Sequence, residues 1–510
     1  MADTEGKNSQ HSENIRKARE LLSASKVDPA ETLNLVKKLK SQDRAFGDAC
    51  KLLKYTLNKP ATEINVELEK QLNQQLALCT YKDPDLPAAL RLDDAFKILD
   101  DADPVYQTQD QETLGIAGAI YKRKWEQSNN KLYLERSLSY YLRGYRLGIV
   151  NGWHVDQGYN AINAAYVLDL LGYLEQKEIL EANGSSNLPE QRFEQADTIR
   201  REVLDKISAL LEVKQHAWMK QAWWVLVTIG EACFALADYE LASSWFKQAD
   251  ALENVPDWER ESTARQLASL LRLRSEPVQG TSAKIVGAEE VLREFLGSDT
   301  AVLSVMRGKV GLALSGGGFR ASLYHIGVLA RLAELDLLRH VEVISCVSGG
   351  SIIGAHYYLE VRDLLQKTAQ DEITKDDYIN IISRIEKSFL AGVQSNIRIR
   401  ILTSLKATFK MLFSAHYSRT NRLGELYEEQ IYSRIKDGLG NKERYLNDLI
   451  IKPFAEDENF RPKDHNWHRS AKVPILILNA TSLNTGHNWQ FTASWMGEPP
   501  AGIDTEIDAN

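Results

Sequence analysis

The sequence predicts a multidomain protein, an all-α amino-terminal half followed by an α/β carboxy-terminal half, and three observations carry this. From about Ser12 to Arg274, apolar residues recur at i, i+3 and i+4 with almost no alternating strand pattern. Beyond Arg307 the texture changes to short apolar runs bounded by glycines and followed by helical stretches, the βαβα order of a parallel sheet. The 510 residues also exceed what one core holds at about 150 residues per domain.

Composition narrows the function classes. Hydrophobic residues make up 44% and charged residues 26%, which excludes fibrous and wholly disordered readings. Lys plus Arg is 62 against 70 Asp plus Glu, a net of −8, so no global basic field argues for a nucleic-acid partner. Cys50, Cys79, Cys233 and Cys346 are far apart and include no Cys-x-x-Cys pair, which predicts a reducing, cytoplasmic setting without disulfides or a structural metal. The polar start has no apolar signal core, and no run reaches about 18 consecutive apolar residues. The sequons at Asn183 and Asn479 are read as chance matches.

Within the helical half the clearest unit is Leu226 to Ala249. Gly230, Tyr239, Ala242, Phe246 and Ala249 fall at offsets 0, 9, 12, 16 and 19, the small and large positions by which a tetratricopeptide hairpin interdigitates its helices. Residues 115–121, 137–144 and 158–165 repeat the small-residue texture with a looser period and read as degenerate repeats; an irregular helical bundle is the alternative. The Trp223-Trp224 pair and Tyr140, Tyr141 and Tyr145 read as packing between helices. The domain expectation is a tetratricopeptide-like helical repeat region over 1–274, a linker over 275–307 around a short helical run from Ala288 to Phe295, and an α/β domain over 308–510. Solenoids present concave surfaces, so a protein partner or activating ligand is expected at the repeats.

The chemistry sits at two turns. Val310 to Leu314 reads as a buried strand that runs into Ser315-Gly316-Gly317-Gly318-Phe319-Arg320 before a helix over Ala321 to Leu338. Consecutive glycines let backbone amides converge at a helix start, where the dipole favours negative charge, so this turn suits an anion or oxyanion. A second strand, from Val341, leads into Cys346-Val347-Ser348-Gly349-Gly350 and a helix over Ser351 to Leu365, the pattern of a nucleophile elbow. The first turn also fits a dinucleotide fingerprint, but the acidic residue which that reading needs at the end of the next strand is absent; Glu342 lies near its beginning.

A Gly-Gly-Gly-x-Arg turn followed 30 residues after Gly318 by a serine elbow resembles the patatin-like phospholipase family, as does Asn479-Ala-Thr-Ser-Leu-Asn-Thr-Gly486 after the third expected strand, Val473 to Asn479. The resemblance runs from Val310 to the carboxy terminus and implies a three-layer α/β/α core, incomplete at its end, that cleaves lipid or phospholipid esters with a serine–aspartate dyad and no cofactor. It makes Ser348 the catalytic nucleophile, Gly316, Gly317 and Gly318 the oxyanion hole, Cys346, Gly349 and Gly350 the elbow turn, and Arg320 a contact for an anionic headgroup or a partner in a salt bridge. The sequence departs from the family in two places. Cys346 stands where the elbow usually begins with Gly, and no Asp-Gly-Gly or Asp-Gly-Ala turn follows the third strand.

The one Asp-Gly in the chain, Asp437-Gly438, precedes that strand, and Asp504 and Asp508 are followed by Thr and Ala. The tail has no closing strand or helix, so a sequence that stops short of the full product is the expectation, and a non-catalytic scaffold acting through its repeats is the alternative. His356, His416, His465, His468 and His487 keep a Ser-His-Asp hydrolase formally open, without a recognisable context. Cys346, on the strand before the turn, is expected to be buried and inert. Between Lys387 and Gly424 seven cations (Lys387, Arg398, Arg400, Lys406, Lys410, Arg419 and Arg422) and no acid alternate with Ile399, Ile401, Leu402, Leu405, Phe409, Met411, Leu412 and Phe413. That segment predicts peripheral membrane contact through Arg398, Arg400, Lys406 and Lys410, or a lid packed on the core.

Overall fold

The computed structural model describes residues 13–498 apart from 63, 84, 85, 87, 254, 276–281, 414, 415, 441, 457–459 and 495. The chain divides into two compact units, the first running to Gly297 and the second from Ser298 to Pro499.

The first unit is helical: α1 (13–21), α2 (Pro29–Ser41), α3 (Phe46–Asn58), α4 (Val66–Lys82), α5 (Ala88–Ala102), α6 (Gln111–Ser128), α7 (Lys131–Asn151), α8 (Tyr159–Glu181), α9 (Leu188–Leu211), α10 (Trp223–Ala235), α11 (Tyr239–Asp250), α12 (Asp257–Ser275) and α13 (Ser282–Leu296). Local signals start many of them. Asp28, Asn65, Asp110, Asn130 and Asp238 each accept a backbone N–H of the first turn, satisfying a donor the helix itself leaves unpaired. From α2 to α11 each helix packs on the next.

Three successive pairs use one device, a glycine on the first helix that seats an aromatic ring from the second. A Cβ added at Gly118, Gly172 or Gly230 would stand 2.7 Å from Tyr141, 2.8 Å from Phe193 or 2.7 Å from Phe246. Close approach of the backbones is what these helices gain from glycine. The hairpin read at Leu226 to Ala249 is α10 and α11, with Ala242, Phe246 and Ala249 buried. Trp223 and Tyr141 are buried as packing residues, whereas Trp224 is 39% exposed.

The stretch 275–307, expected as a linker, carries α13, which packs on α11 and α12 in the first unit, and α14 (Asp299–Arg307), which lies in the second. The division therefore falls between Gly297 and Ser298.

The second unit holds a five-stranded sheet in the order β1 (Val310–Leu314), β2 (Val341–Val347), β3 (Ile475–Thr481), β4 (Asn488–Phe491) and β5 (Met496–Gly497). β1, β2 and β3 are parallel, and β4 and β5 are antiparallel, so the sheet is mixed rather than wholly parallel. α15 (Gly318–Glu334) links β1 to β2. Between β2 and β3 come α16 (Gly349–Lys367), α17 (Lys375–Gln394), α18 (Ile397–Thr403), α19 (Leu405–Phe413), α20 (Arg419–Gln430) and the short α21 (Pro462–His465). α16 packs on all three parallel strands, and its Ile353 and Tyr357 join Leu314, Ile344, Cys346 and Leu476 in one buried core. Both glycine turns therefore emerge at the carboxyl ends of neighbouring parallel strands, where open α/β sheets place their sites.

Candidate active site

β2 ends at Val347, and Ser348 turns the chain with φ 53° and ψ −119° before α16 begins at Gly349. A positive φ is costly for a residue with a side chain and persists where the surroundings hold it. Here they do: the Ser348 carbonyl accepts from the Ser351 N–H at 2.9 Å, and both following glycines are wedged against backbone. A Cβ at Gly349 would stand 2.1 Å from the Gly318 carbonyl oxygen, and one at Gly350 2.2 Å from that of Leu314. The first turn of α16 thus nests against the end of β1 and the glycine turn, leaving Ser348 exposed above them.

The first turn comes directly to the second. Gly317 (φ 140°) and Gly318 (φ 64°) adopt backbone that favours glycine. A Cβ on Gly316 would lie 3.1 Å from Ser348 Cβ and 3.7 Å from its Oγ. Ser322 Oγ, fully buried on α15, donates to the Gly349 carbonyl at 2.7 Å and so ties the two turns together. His325 Nε2 lies 3.0 Å from the Ser315 carbonyl oxygen, which can only accept, so that nitrogen carries the proton and anchors the loop. From β3, Asn479 Nδ2 donates to Ser345 Oγ at 2.9 Å and to the Cys346 carbonyl at 3.0 Å, while its Oδ1 accepts from Asn488 and Gln490 on β4. Ser322, His325 and Asn479 escaped sequence reasoning as site residues; Asn479 alone was signalled, by the motif that contains it.

Cys346 is buried, and its thiol is pushed up to about 12 by burial, which leaves it protonated and unreactive. It fills the space over Gly354 of α16, where a Cβ would stand 2.3 Å from its sulfur. Among the described residues no side chain hydrogen-bonds Ser348 Oγ, and none of His356, His416, His465, His468 and His487 approaches it so closely. Asp437 is engaged elsewhere: both its oxygens accept from Arg444, at 2.9 and 2.8 Å, and its side chain is 1% exposed. Burial alone would raise its carboxyl, but the Arg444 hydrogen bonds and the Leu439 amide outweigh that and hold it below the usual carboxylate range. Asp504 and Asp508 lie outside the described residues.

Beside the glycine turn is a cavity of about 570 Å³ lined by Gly317, Phe319 and Arg320 on one side and by Val393, Asn396, Ile397 and Ile399 on the other. Arg320 is exposed, and no carboxylate among the described residues pairs with it. The cationic segment runs through α18 and α19. Ile397 and Ala407 are buried, whereas Ile399, Phe409, Leu412 and Phe413 are 57, 61, 73 and 87% exposed. Arg400 and Lys410 are exposed, and the side chains of Arg398 and Lys406 lie outside the described residues. The field is weaker than the acid-free stretch predicts, because Glu425, one residue beyond it, sits 3.6 Å from Lys410 and 2.8 Å from Arg422. No helix among the described residues is long and apolar enough to cross a membrane.

Residues 312–495 match the model of the family described as patatin-like phospholipase, and residues 45–168 match Tetratricopeptide Repeats-Sensor. The second match covers α3 to the middle of α8, the stretch whose small-residue repeats have the looser period, and stops before the regular α10–α11 hairpin. Triacylglycerol lipase 4 of Saccharomyces cerevisiae is 33% identical over 153 residues, 27% of this chain and 16% of the yeast protein. The chain thus spans about a sixth of that relative's length.

Proposed function

We propose that the carboxy-terminal part of this chain, a patatin-like phospholipase region preceded by tetratricopeptide-like repeats, hydrolyses lipid esters with Ser348 as its nucleophile. The observation that carries the reading is the meeting of the two turns: an exposed serine at positive φ with the backbone of Gly316 against it. Ser348 Oγ attacks the ester carbonyl carbon, and the carbonyl π electrons move to oxygen. The amides of Gly316, Gly317 and Gly318 stabilise that oxyanion, which collapses to an acyl-enzyme as the alcohol leaves with a proton. Water then attacks the acyl carbon and releases the fatty acid, returning the proton to Ser348.

The proton of Ser348 needs an acceptor. The resemblance assigns that part to an aspartate in an Asp-Gly-Gly or Asp-Gly-Ala turn, and no such turn follows β3 in the sequence. Arg320, beside the cavity, serves an anionic headgroup, and the cavity walls of Phe319, Val393, Ile397 and Ile399 suit an acyl chain. The exposed Ile399, Phe409, Leu412 and Phe413 with Arg400 suit a peripheral contact with anionic lipid, about 1 kcal/mol per cation near such a surface. The repeats recruit or regulate the hydrolase.

The test is fatty-acid release from phospholipid and triacylglycerol vesicles by the protein expressed to the stop codon of its reading frame, with Ser348→Ala beside it. Release that falls at least about 1,000-fold in the variant is expected. Equal release by both proteins, or none by either, overturns the assignment.

A further inference from the structure

Gly316, Gly317 and Gly318 give the turn after β1 its close approach to Ser348, and they also carry more backbone freedom than any other residue type would. The turn has no side chains of its own to hold it, so whatever orients its amides must reach in from outside. Among the described residues no backbone carbonyl accepts from the N–H of Gly316, Gly317 or Gly318. Backbone pairing therefore does not set the directions of these three donors; the groups that grip the neighbouring carbonyls do.

α15 grips both turns from one face. Ser322 and His325 stand three residues apart on that helix, hence as neighbours on its surface, and both are buried. A serine inside a helix ordinarily gives its hydroxyl proton to the carbonyl four residues back. Here that carbonyl, of Gly318, is 3.3 Å from Ser322 Oγ, while the Gly349 carbonyl of the elbow is 2.7 Å away and takes the proton. His325 Nε2 lies 3.4 Å from Ser315 Oγ and 3.0 Å from the Ser315 carbonyl oxygen, to which it donates. That second contact is directional. The peptide bond between Ser315 and Gly316 is planar and trans, so its carbonyl and its N–H point in opposite directions. With the carbonyl held toward His325, the Gly316 N–H is turned away from it. The Ser322 bond fixes the other partner, because Gly349 directly follows Ser348, whose Cβ would stand 3.1 Å from a Cβ on Gly316.

We infer that Ser322 and His325 are positioning residues for the chemistry of Ser348: together they hold the amides of the glycine turn at the orientation and the separation from the elbow that a developing oxyanion requires. The inference rests on the reading of Ser348 as nucleophile and of Gly316 to Gly318 as oxyanion donors. Neither side chain touches the reacting atoms. Each removes freedom from a turn that glycine would otherwise leave loose, so the donors are ordered before the substrate arrives.

The test is inactivation by a long-chain alkyl fluorophosphonate, on the protein expressed to the stop codon of its reading frame. Ser348 Oγ forms a bond to phosphorus, the P–F bond breaks, fluoride leaves with the serine proton, and the phosphonyl oxygen takes up charge where the ester oxyanion would stand. Ser322→Ala and His325→Leu should each lower the maximal inactivation rate at least about tenfold, with the half-saturating concentration unchanged and the folded fraction checked by urea unfolding. His325→Gln, whose side-chain amide donates from close to the place of Nε2, should recover most of the lost rate. A merely structural role gives a different result: fewer molecules react, those that do react at the wild-type rate, and glutamine recovers nothing. That result, or wild-type rates in both variants, overturns the inference and leaves Ser348 in its role. If Ser322→Ala does not fold, the His325→Leu and His325→Gln pair decides. Peptide mass that shows no label on Ser348 in any of the proteins, wild type included, overturns the hydrolase reading and the inference with it.

Discussion

Gly349 and Gly318 are packed backbone to backbone: a Cβ on the first would stand 2.1 Å from the carbonyl oxygen of the second. This contact brings the serine elbow and the glycine turn into one site, and neither partner has a flexible side chain that could yield. Gly349→Ala should therefore lower stability by at least about 2 kcal/mol and abolish Ser348-dependent ester hydrolysis. Gly424→Ala is the control, since that exposed glycine of α20 has open space around it and helix propensity favours alanine by about 0.5–1 kcal/mol. Urea unfolding of both variants, read beside activity, checks the pair.

Cys346 and Gly354 form a complementary couple across the β2–α16 packing. Gly354→Ala should destabilise by about 2 kcal/mol, because its Cβ meets the Cys346 sulfur at 2.3 Å. Adding Cys346→Gly, which restores the residue usual in the family, should recover at least half of that loss. A double-mutant cycle in the melting temperature measures the coupling, and additive losses would mean that the clash is relieved elsewhere.

Asp437 and Arg444 are both nearly inaccessible, at 1 and 3% side-chain exposure. Asp437→Ala should cost about 2 kcal/mol, because it removes two charge-assisted hydrogen bonds to the Arg444 guanidinium while Glu428 still pairs with it. The carboxyl is held below its unfolded value, so its contribution is complete at neutral pH and is lost as pH falls through the carboxylate range. If Asp437 is structural, the turnover of the folded fraction stays unchanged; a selective fall in kcat at full folding would make it part of the catalytic machinery.

His340 and His356 are buried neutral imidazoles, each lowered to about 4 by burial first, then by Arg307 and Arg339 for His340 and by Arg444 for His356. The unfolded chain takes up protons near pH 6.5, where the folded chain resists until about pH 4. Stability should therefore fall as the pH drops from about 6.5 to 4, by about 3 kcal/mol for each imidazole. His340→Leu should flatten its share of that fall, measured as ΔG of unfolding at pH 7 and pH 5. An unchanged slope would mean that His340 is already charged in the folded protein.

The sequence by itself determined the elements whose causes are local. The apolar runs of β1 and β2 and the glycines flanking Ser348 act over a few residues, so strand, turn and helix could be read in order. The same locality made Ser348 and Gly316 to Gly318 legible as two separate turns. Only the tertiary structure decided what those turns meet. Asn479 reaches Ser345 and Cys346 from more than 130 residues away, and Ser322 reaches Gly349 from the helix of the other turn. Glu425 offsets a cationic stretch that looked unopposed, and Asp437 is committed to Arg444. α12, polar at its start and thus fit for solvent by composition, is enclosed by contacts from α8, α10 and residues as distant as Arg44 and Lys82. Pairing energies of this kind depend on distance in space, and no periodicity along the chain encodes which distant group closes on which.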